Sequence, residues 1–323
     1  MKKNTTPFQK TLKSRIELSG IGVHSGKPVS MTLSPADANT GIVFVRTAEG
    51  QADIEIPAIH SAVAATELCT LLGDPAGLFV ATVEHLMAAL ISLGVDNVSI
   101  EIDGSEVPVM DGSAAAFVDA VDQVGLVEQK APKRFIKILK PVQIAVGESF
   151  AEFVPFDGFR FDVAIEFANE LIGRQEMAID ITPDSFRTEI SRARTFGFMS
   201  DVERLWKAGY AMGSSLENSV VIGEDRVLNP EGLRYPDEFV RHKLLDAVGD
   251  LALAGMPFVG CYRSYKGGHK VNAMALKALL ARRDAWTYVT GATASAERDG
   301  RASEGRSDVL SGMLAPAFAP DHS

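Results

Sequence analysis

Two periodicities divide the chain. Residues 11–48 alternate in Arg15-Ile16-Glu17-Leu18 and then run apolar through Ile42, Val43, Phe44 and Val45, which predicts strands, since successive side chains of a strand face opposite ways. Over residues 83–93 the rhythm becomes that of an apolar helix, with Thr82 as its N-cap and Gly94 as its terminator. Val98-Ser99-Ile100-Glu101-Ile102 returns to alternation. Met110-Asp111-Gly112-Ser113 then reads as a loop into another apolar helix, Asp111 serving as the cap.

A polar break over residues 129–134 separates this order from a second version of it. Strands resume at residues 135–138 and 160–167, and a helix opening on Arg241 and His242 stops at Gly255 ahead of an apolar run at 258–262. The two histidine-bearing helices occupy corresponding places, which predicts an ancient duplication in which they meet between the halves. The expected division is an N-terminal domain over 1–130 and a C-terminal domain over 131–290. Residues 291–323, rich in Ala, Gly, Ser and Pro, are expected to form a disordered tail.

At about 100° per residue, His242, Asp246 and Asp250 fall within roughly 80° of one another, while Leu244, Leu245, Val248 and Leu251 take the opposite side. An imidazole and a carboxylate one turn apart can reach a single ion; a polar stripe facing water is the plainer reading. A catalytic zinc usually takes three protein ligands and leaves one position open. His85, early in an apolar helix where a buried imidazole needs a partner, supplies the third. Glu84 beside it has the chemistry of a general base, although a first-turn Glu is also favoured by the helix dipole. His269, in the glycine loop Tyr265-Lys266-Gly267-Gly268-His269-Lys270, pairs with Asp250 as a charge that could steady an oxyanion or protonate a leaving group. The glycine-rich stretch around His24 allows close approach to a ligand, as it would allow an ordinary hairpin.

Composition narrows the class. A chain of 323 residues, 46% hydrophobic, can bury a large core, and a net charge of −10 argues against a general nucleic-acid binder. Two cysteines, Cys69 and Cys261, are too few for a zinc ribbon or a disulfide framework. The N-terminus lacks the apolar segment of a signal peptide and no apolar run reaches about 18 residues, so a cytoplasmic location is expected.

Five stretches, Ile21-Gly22-Val23-His24-Ser25-Gly26, Val83-Glu84-His85, Met110-Asp111-Gly112-Ser113-Ala114, Ser191-Arg192-Ala193-Arg194-Thr195-Phe196-Gly197-Phe198 and Phe239-Val240-Arg241-His242-Lys243-Leu244-Leu245-Asp246, together resemble the UDP-3-O-acyl-N-acetylglucosamine deacetylase family, zinc amidases of lipid A synthesis. The resemblance runs from about residue 9 to 285. It implies an α+β fold of two similar domains, each a helix pair packed against β-sheets in a β-α-α-β sandwich, with the active site at their interface. It implies Zn2+ held by His85, His242 and Asp246, Glu84 as general base, His269 backed by Asp250 as acid or electrostatic partner, and Thr195 as oxyanion donor. Lys243 and Phe167 are expected to contact the nucleotide sugar, Phe196 and Cys69 to lie near the site, and residues 197–223 to form a passage for the acyl chain. The substrate implied is UDP-3-O-acyl-N-acetylglucosamine, which leaves room for a peripheral position at the inner membrane; neither nucleic acid nor a protein partner is implied. The rival readings are a nucleotide-sugar binder that kept the fold and a zinc hydrolase of another N-acyl sugar. A binder has no use for a general base beside three ligands.

Overall fold

The computed structural model describes residues 7–47, 50 and 52–291; the expected tail lies, from residue 292 onward, outside them. The first half runs through β1 (Phe8–Leu12), β2 (Ile16–Ile21), β3 (Pro28–Pro35), β4 (Ile42–Arg46) and β5 (Ile54–Pro57). Three short strands follow, β6 (Val63–Ala65), β7 (Leu71–Gly73) and β8 (Phe79–Val80). Helix α1 (Glu84–Leu93), strand β9 (Val98–Ile102), helix α2 (Ala115–Val124) and strand β10 (Leu126–Pro132) complete it. The second half opens with β11 (Arg134–Ile138), β12 (Val142–Val146), β13 (Ser149–Val154), β14 (Phe159–Glu166) and β15 (Arg174–Asp180). A single turn, α3 (Pro183–Ser185), leads to β16 (Phe196–Phe198), α4 (Met199–Lys207) and β17 (Val220–Ile222). It ends in α5 (Glu238–Ala252), β18 (Phe258–Tyr265), α6 (His269–Ala281) and β19 (Trp286–Thr290).

Among the described residues, the first half builds a sheet ordered β2-β3-β9-β4-β5, with β4 and β9 parallel and the other neighbours antiparallel. In the second half β18 is the pivot, antiparallel to β13 and parallel to both β11 and β14. Each half thus places a helix before a central strand, pairs that strand parallel to an earlier one through a crossover, and follows it with a second helix. Helices α5 and α6 lie against β14 and against β12 and β13, and the whole is an α+β fold.

Helix α1 is buried along its full length, including Glu84 and His85 at its start. A helix apolar all round belongs in a core, and this one packs against α5 of the other half. The stripe of His242, Asp246 and Asp250 does not face water: all three are buried on α5.

Four local expectations need correction. Thr82 does not cap α1; it adopts a left-handed φ of 57° and its hydroxyl donates to Glu106 Oε1 at 2.9 Å. Asp111 does not cap α2. It accepts from the Ser113 amide and hydroxyl in a tight turn and from Arg234 Nη1 at 2.7 Å. The polar stretch at 129–134 is largely strand: β10 reaches Pro132 and pairs with β1 in a two-stranded ribbon, where Gln129 is half-buried and bonded to Asn97 and Ala36. Helix α5 begins at Glu238, one turn before His242, whereas Gly94 and Gly255 do take the left-handed φ expected of terminators.

Candidate active site

The site forms where α1 meets α5. Gly249 makes the approach possible, because a Cβ there would lie 1.9 Å from the carbonyl oxygen of Glu84. With the two backbones this close, the first turn of α1 and the middle of α5 present their polar side chains to one another. His85 Nε2 is 3.6 Å and His242 Nε2 3.4 Å from the same oxygen, Asp246 Oδ1. The two imidazoles meet edge to face with centroids 4.9 Å apart.

That oxygen is buried and has no hydrogen-bond partner among the described residues. A buried carboxylate oxygen left without a donor is costly, and a cation between it and two imidazole nitrogens removes the penalty. The ligand atoms of His85, His242 and Asp246 all lie within 4.8 Å of one another, so the set fits a divalent ion that favours nitrogen and oxygen. The tautomer also fits. His242 Nδ1 is 3.0 Å from the carbonyl oxygen of Ala193, which can only accept, so the proton is on Nδ1 and the Nε2 lone pair turns inward.

Charge is arranged to match. Burial pushes the His242 pKa down to about 3 despite the pull of Asp246, keeping the imidazole neutral as a ligand requires. Burial opposes ionisation of Asp246 too, but His242 and Lys243, the latter at 2.8 Å, outweigh it and hold the carboxyl well below its usual range. Glu84 is raised above the usual carboxylate range by burial, with His269 and His85 pulling the other way. A carboxylate with heightened proton affinity is suited to accept a proton from water.

His269 is the first residue of α6, and its Nδ1 pairs with Asp250 Oδ2 at 2.9 Å while Nε2 lies 3.8 Å from Glu84 Oε1. Burial works against its charge, yet Asp250 and Glu84 prevail and push the pKa up to about 10. Glu84, Asp250 and His269 also converge within 4.8 Å, but here the imidazole and Asp250 already satisfy each other.

Of the remaining expected residues, Phe196, Lys243 and Phe167 cluster beside His242. Phe196 lies edge-on to His242 at 6.2 Å, carries the Lys243 ammonium 5.6 Å from its ring centre, and touches Phe167 at 5.8 Å. Thr195, two residues beyond Ala193, is anchored through its backbone to Gly112 and Val220. Cys69 is buried, and burial with the nearby charge of Glu84 drives its thiol up to about 12, so it is held as a neutral thiol. The wall carrying Ala193 and Thr195 is fixed by Arg194, 1% exposed, which donates from its amide and its guanidinium to the fully buried Glu238.

Glu106 anchors the glycine-rich loop. It accepts the amides of His24 and Ser25 and the Thr82 hydroxyl, and it packs against Gly22, where a Cβ would stand 2.2 Å from its Oε2 and force the carboxylate to shift. Sequence reasoning missed Glu106, Arg194, Glu238, Thr70 and Asn272, the last two of which hydrogen-bond Asp250. No spacing rule links Thr70 to a residue 180 positions away.

Residues 9–281 match the family model described as LpxC, UDP-3-O-acyl N-acetylglycosamine deacetylase. Proteins named UDP-3-O-acyl-N-acetylglucosamine deacetylase from Brucella ovis, Brucella abortus (strain 2308) and Brucella melitensis biotype 2 are each 54% identical over 283 residues, covering 87% of this chain and 98% of theirs. Likeness of that extent, from β1 to the last residue of α6, makes the chain a member of the UDP-3-O-acyl N-acetylglycosamine deacetylase family.

Proposed function

We propose that this chain hydrolyses the N-acetyl amide of UDP-3-O-acyl-N-acetylglucosamine, releasing acetate, as a zinc-dependent deacetylase of lipid A biosynthesis. One observation carries the reading beyond family membership: two imidazoles converge on an unpartnered buried carboxylate oxygen with Glu84 and His269 alongside.

His85, His242 and Asp246 would hold the zinc. When bound, the ion supplies Lewis acidity, which polarises an amide carbonyl and makes a water easier to deprotonate. Glu84 takes a proton from the attacking water, whose oxygen bonds to the carbonyl carbon. Thr195 donates its hydroxyl to the oxygen on which charge develops. As the C–N bond breaks, the protonated His269, held by Asp250, stabilises that charge and gives a proton to the departing nitrogen. Acetate and the free amine are the products.

Lys243 offers an ammonium to the nucleotide sugar, with Phe196, Phe167 and Cys69 forming the wall beside it. The two halves, 1–130 and 131–290, serve as domains with the site between them. The acyl chain runs along the insert at 197–223, where Met199, Trp206 and Met212 are each more than half exposed and ready to cover an apolar ligand. Among the described residues no helix is long and apolar enough to cross a membrane. We place the enzyme in the cytoplasm, in keeping with Cys69 and Cys261 as buried free thiols. An assay of purified protein on the acylated UDP-sugar tests the reading: stoichiometric acetate and free amine that vanish on chelation and return with zinc support it, and no turnover by the zinc-loaded protein overturns it.

A further inference from the structure

We propose that Thr70 is a positioning residue for the deacetylation, setting Glu84 and the Asp250–His269 pair in register. The residue lies just ahead of β7 in the first half and is 1% exposed. Its backbone amide donates to Glu84 Oε2 at 3.1 Å, while its hydroxyl donates to Asp250 Oδ1 at 2.6 Å. Thr70 therefore touches the carboxylate that takes the proton and the carboxylate that holds the imidazole which returns one. It does so across the junction of the halves, since Glu84 is on α1 and Asp250 on α5.

Every bond to Asp250 bears on the direction of its charge. Oδ2 receives His269 Nδ1 at 2.9 Å and Asn272 Nδ2 at 2.8 Å, and the Asn272 amide is itself oriented by the Tyr262 hydroxyl at 2.7 Å. Those partners all come from the β18–α6 side. Thr70 holds Oδ1 from the opposite side, so it is the brace against rotation of the carboxylate about its Cβ–Cγ bond, and with it against swing of the His269 ring. A carboxylate with both oxygens fixed keeps the imidazole aimed at Glu84; with one oxygen released, His269 loses its alignment without losing its partner. Thr70 lines a cavity of about 480 Å3 together with Asp250, Thr66, Leu253 and Met274, which leaves space nearby for a replacement to settle.

The inference rests on the deacetylase reading, and the experiment separates the two. Steady-state kinetics on the acylated UDP-sugar, with zinc per chain measured in parallel, are compared for the wild type, Thr70→Val, Thr70→Ala and Thr70→Ser. Thr70→Val keeps the backbone bond to Glu84 and removes only the hydroxyl; kcat should fall about tenfold or more with KM and zinc content within twofold of wild type. Thr70→Ser should recover most of that loss. In an Asp250→Ala background, Thr70→Val should cost little further, because the hydroxyl acts through Asp250. The imidazole Nδ1–H resonance of His269, read by NMR, should shift in Thr70→Val and return in Thr70→Ser. If Thr70→Val does not fold, Thr70→Ala supplies the same readings. An active wild type with Thr70→Val or Thr70→Ala within twofold of its kcat, or full additivity with Asp250→Ala, overturns the proposal and leaves the deacetylase reading intact. An inactive, zinc-loaded wild type defeats that reading instead.

Discussion

Gly249 and Glu84 meet backbone to backbone: a Cβ added to the one would stand 1.9 Å from the carbonyl oxygen of the other and 2.7 Å from its carbonyl carbon. Neither atom belongs to a side chain that can turn away, so Gly249→Ala must part α1 from α5 at the point where their ligands converge. Overpacking of this kind costs about 1 to 3 kcal/mol. We expect denaturant unfolding to show a loss in that range and zinc affinity to drop with it, since His85 moves away from Asp246. A Gly249→Ala protein with native stability and native zinc affinity would show that the crossing has slack.

The proposed ligand set has three residues, so His85→Ala, His242→Ala and Asp246→Ala should each lower bound zinc and turnover. Zinc per chain, measured after exhaustive dialysis, decides the matter residue by residue. A variant that keeps both its zinc and its rate is not a ligand variant.

The proposed base, Glu84, and the proposed ligand, His85, stand at adjacent positions and should separate cleanly. Glu84→Gln keeps the shape and the bond from the Thr70 amide but cannot take a proton, so zinc should remain while kcat falls by roughly 10² to 10⁴-fold. His269→Ala should likewise retain zinc and lose rate. Loss of metal from Glu84→Gln, or a near-native rate, would remove Glu84 from the role of base.

Two histidines displaced in opposite directions, His242 and His269, give the metal-free protein a stability profile with a stated sign, and His24, lowered by burial, acts in the same sense as His242. His242 in the fold takes a proton only near pH 3, against an ordinary value of 6.5, so the unfolded chain binds that proton first and stability falls as pH drops from about 6.5. His269 holds its proton up to about 10 in the fold, so its contribution is complete below pH 6.5 and is lost as pH rises from there towards 10. Opposite shifts place the maximum near pH 6.5. Urea unfolding of the chelated protein across this range should show the maximum, and His269→Ala should flatten its alkaline side; a steady rise from pH 6.5 to 10 would contradict the assignment.

Beyond what the five family-like stretches imply, what could be read from the sequence was what repeats at a fixed local interval. The stripe of His242, Asp246 and Asp250 follows from helical geometry alone, and Gly94 and Gly255 announce helix ends because they accept a left-handed backbone. Local rules also misled where a distant group competed for the same atoms. Thr82 looks like an N-cap, but Glu106 takes its hydroxyl, and Asp111 looks like one until Arg234 and Ser113 claim its oxygens. The depth of the stripe was beyond periodicity, since a polar face on a helix reads the same whether it meets water or another helix. Thr70, Asn272 and Glu238 left no trace because their partners come from other elements.

Glu106 joins two other stretches of chain: the glycine-rich loop, through the amides of His24 and Ser25 and the space left by the missing side chain of Gly22, and Thr82 just ahead of α1, through its hydroxyl. Sequence freedom at these positions is therefore shared. A side chain at 22 is admitted only if the Glu106 carboxylate and the Ser25 hydroxyl both give way, and a displaced or smaller 106 leaves two loop amides and the Thr82 hydroxyl without an acceptor. In a library that randomises positions 22, 82 and 106 together, folded variants should be confined to a few matched combinations, although 22 and 106 are far apart in the sequence.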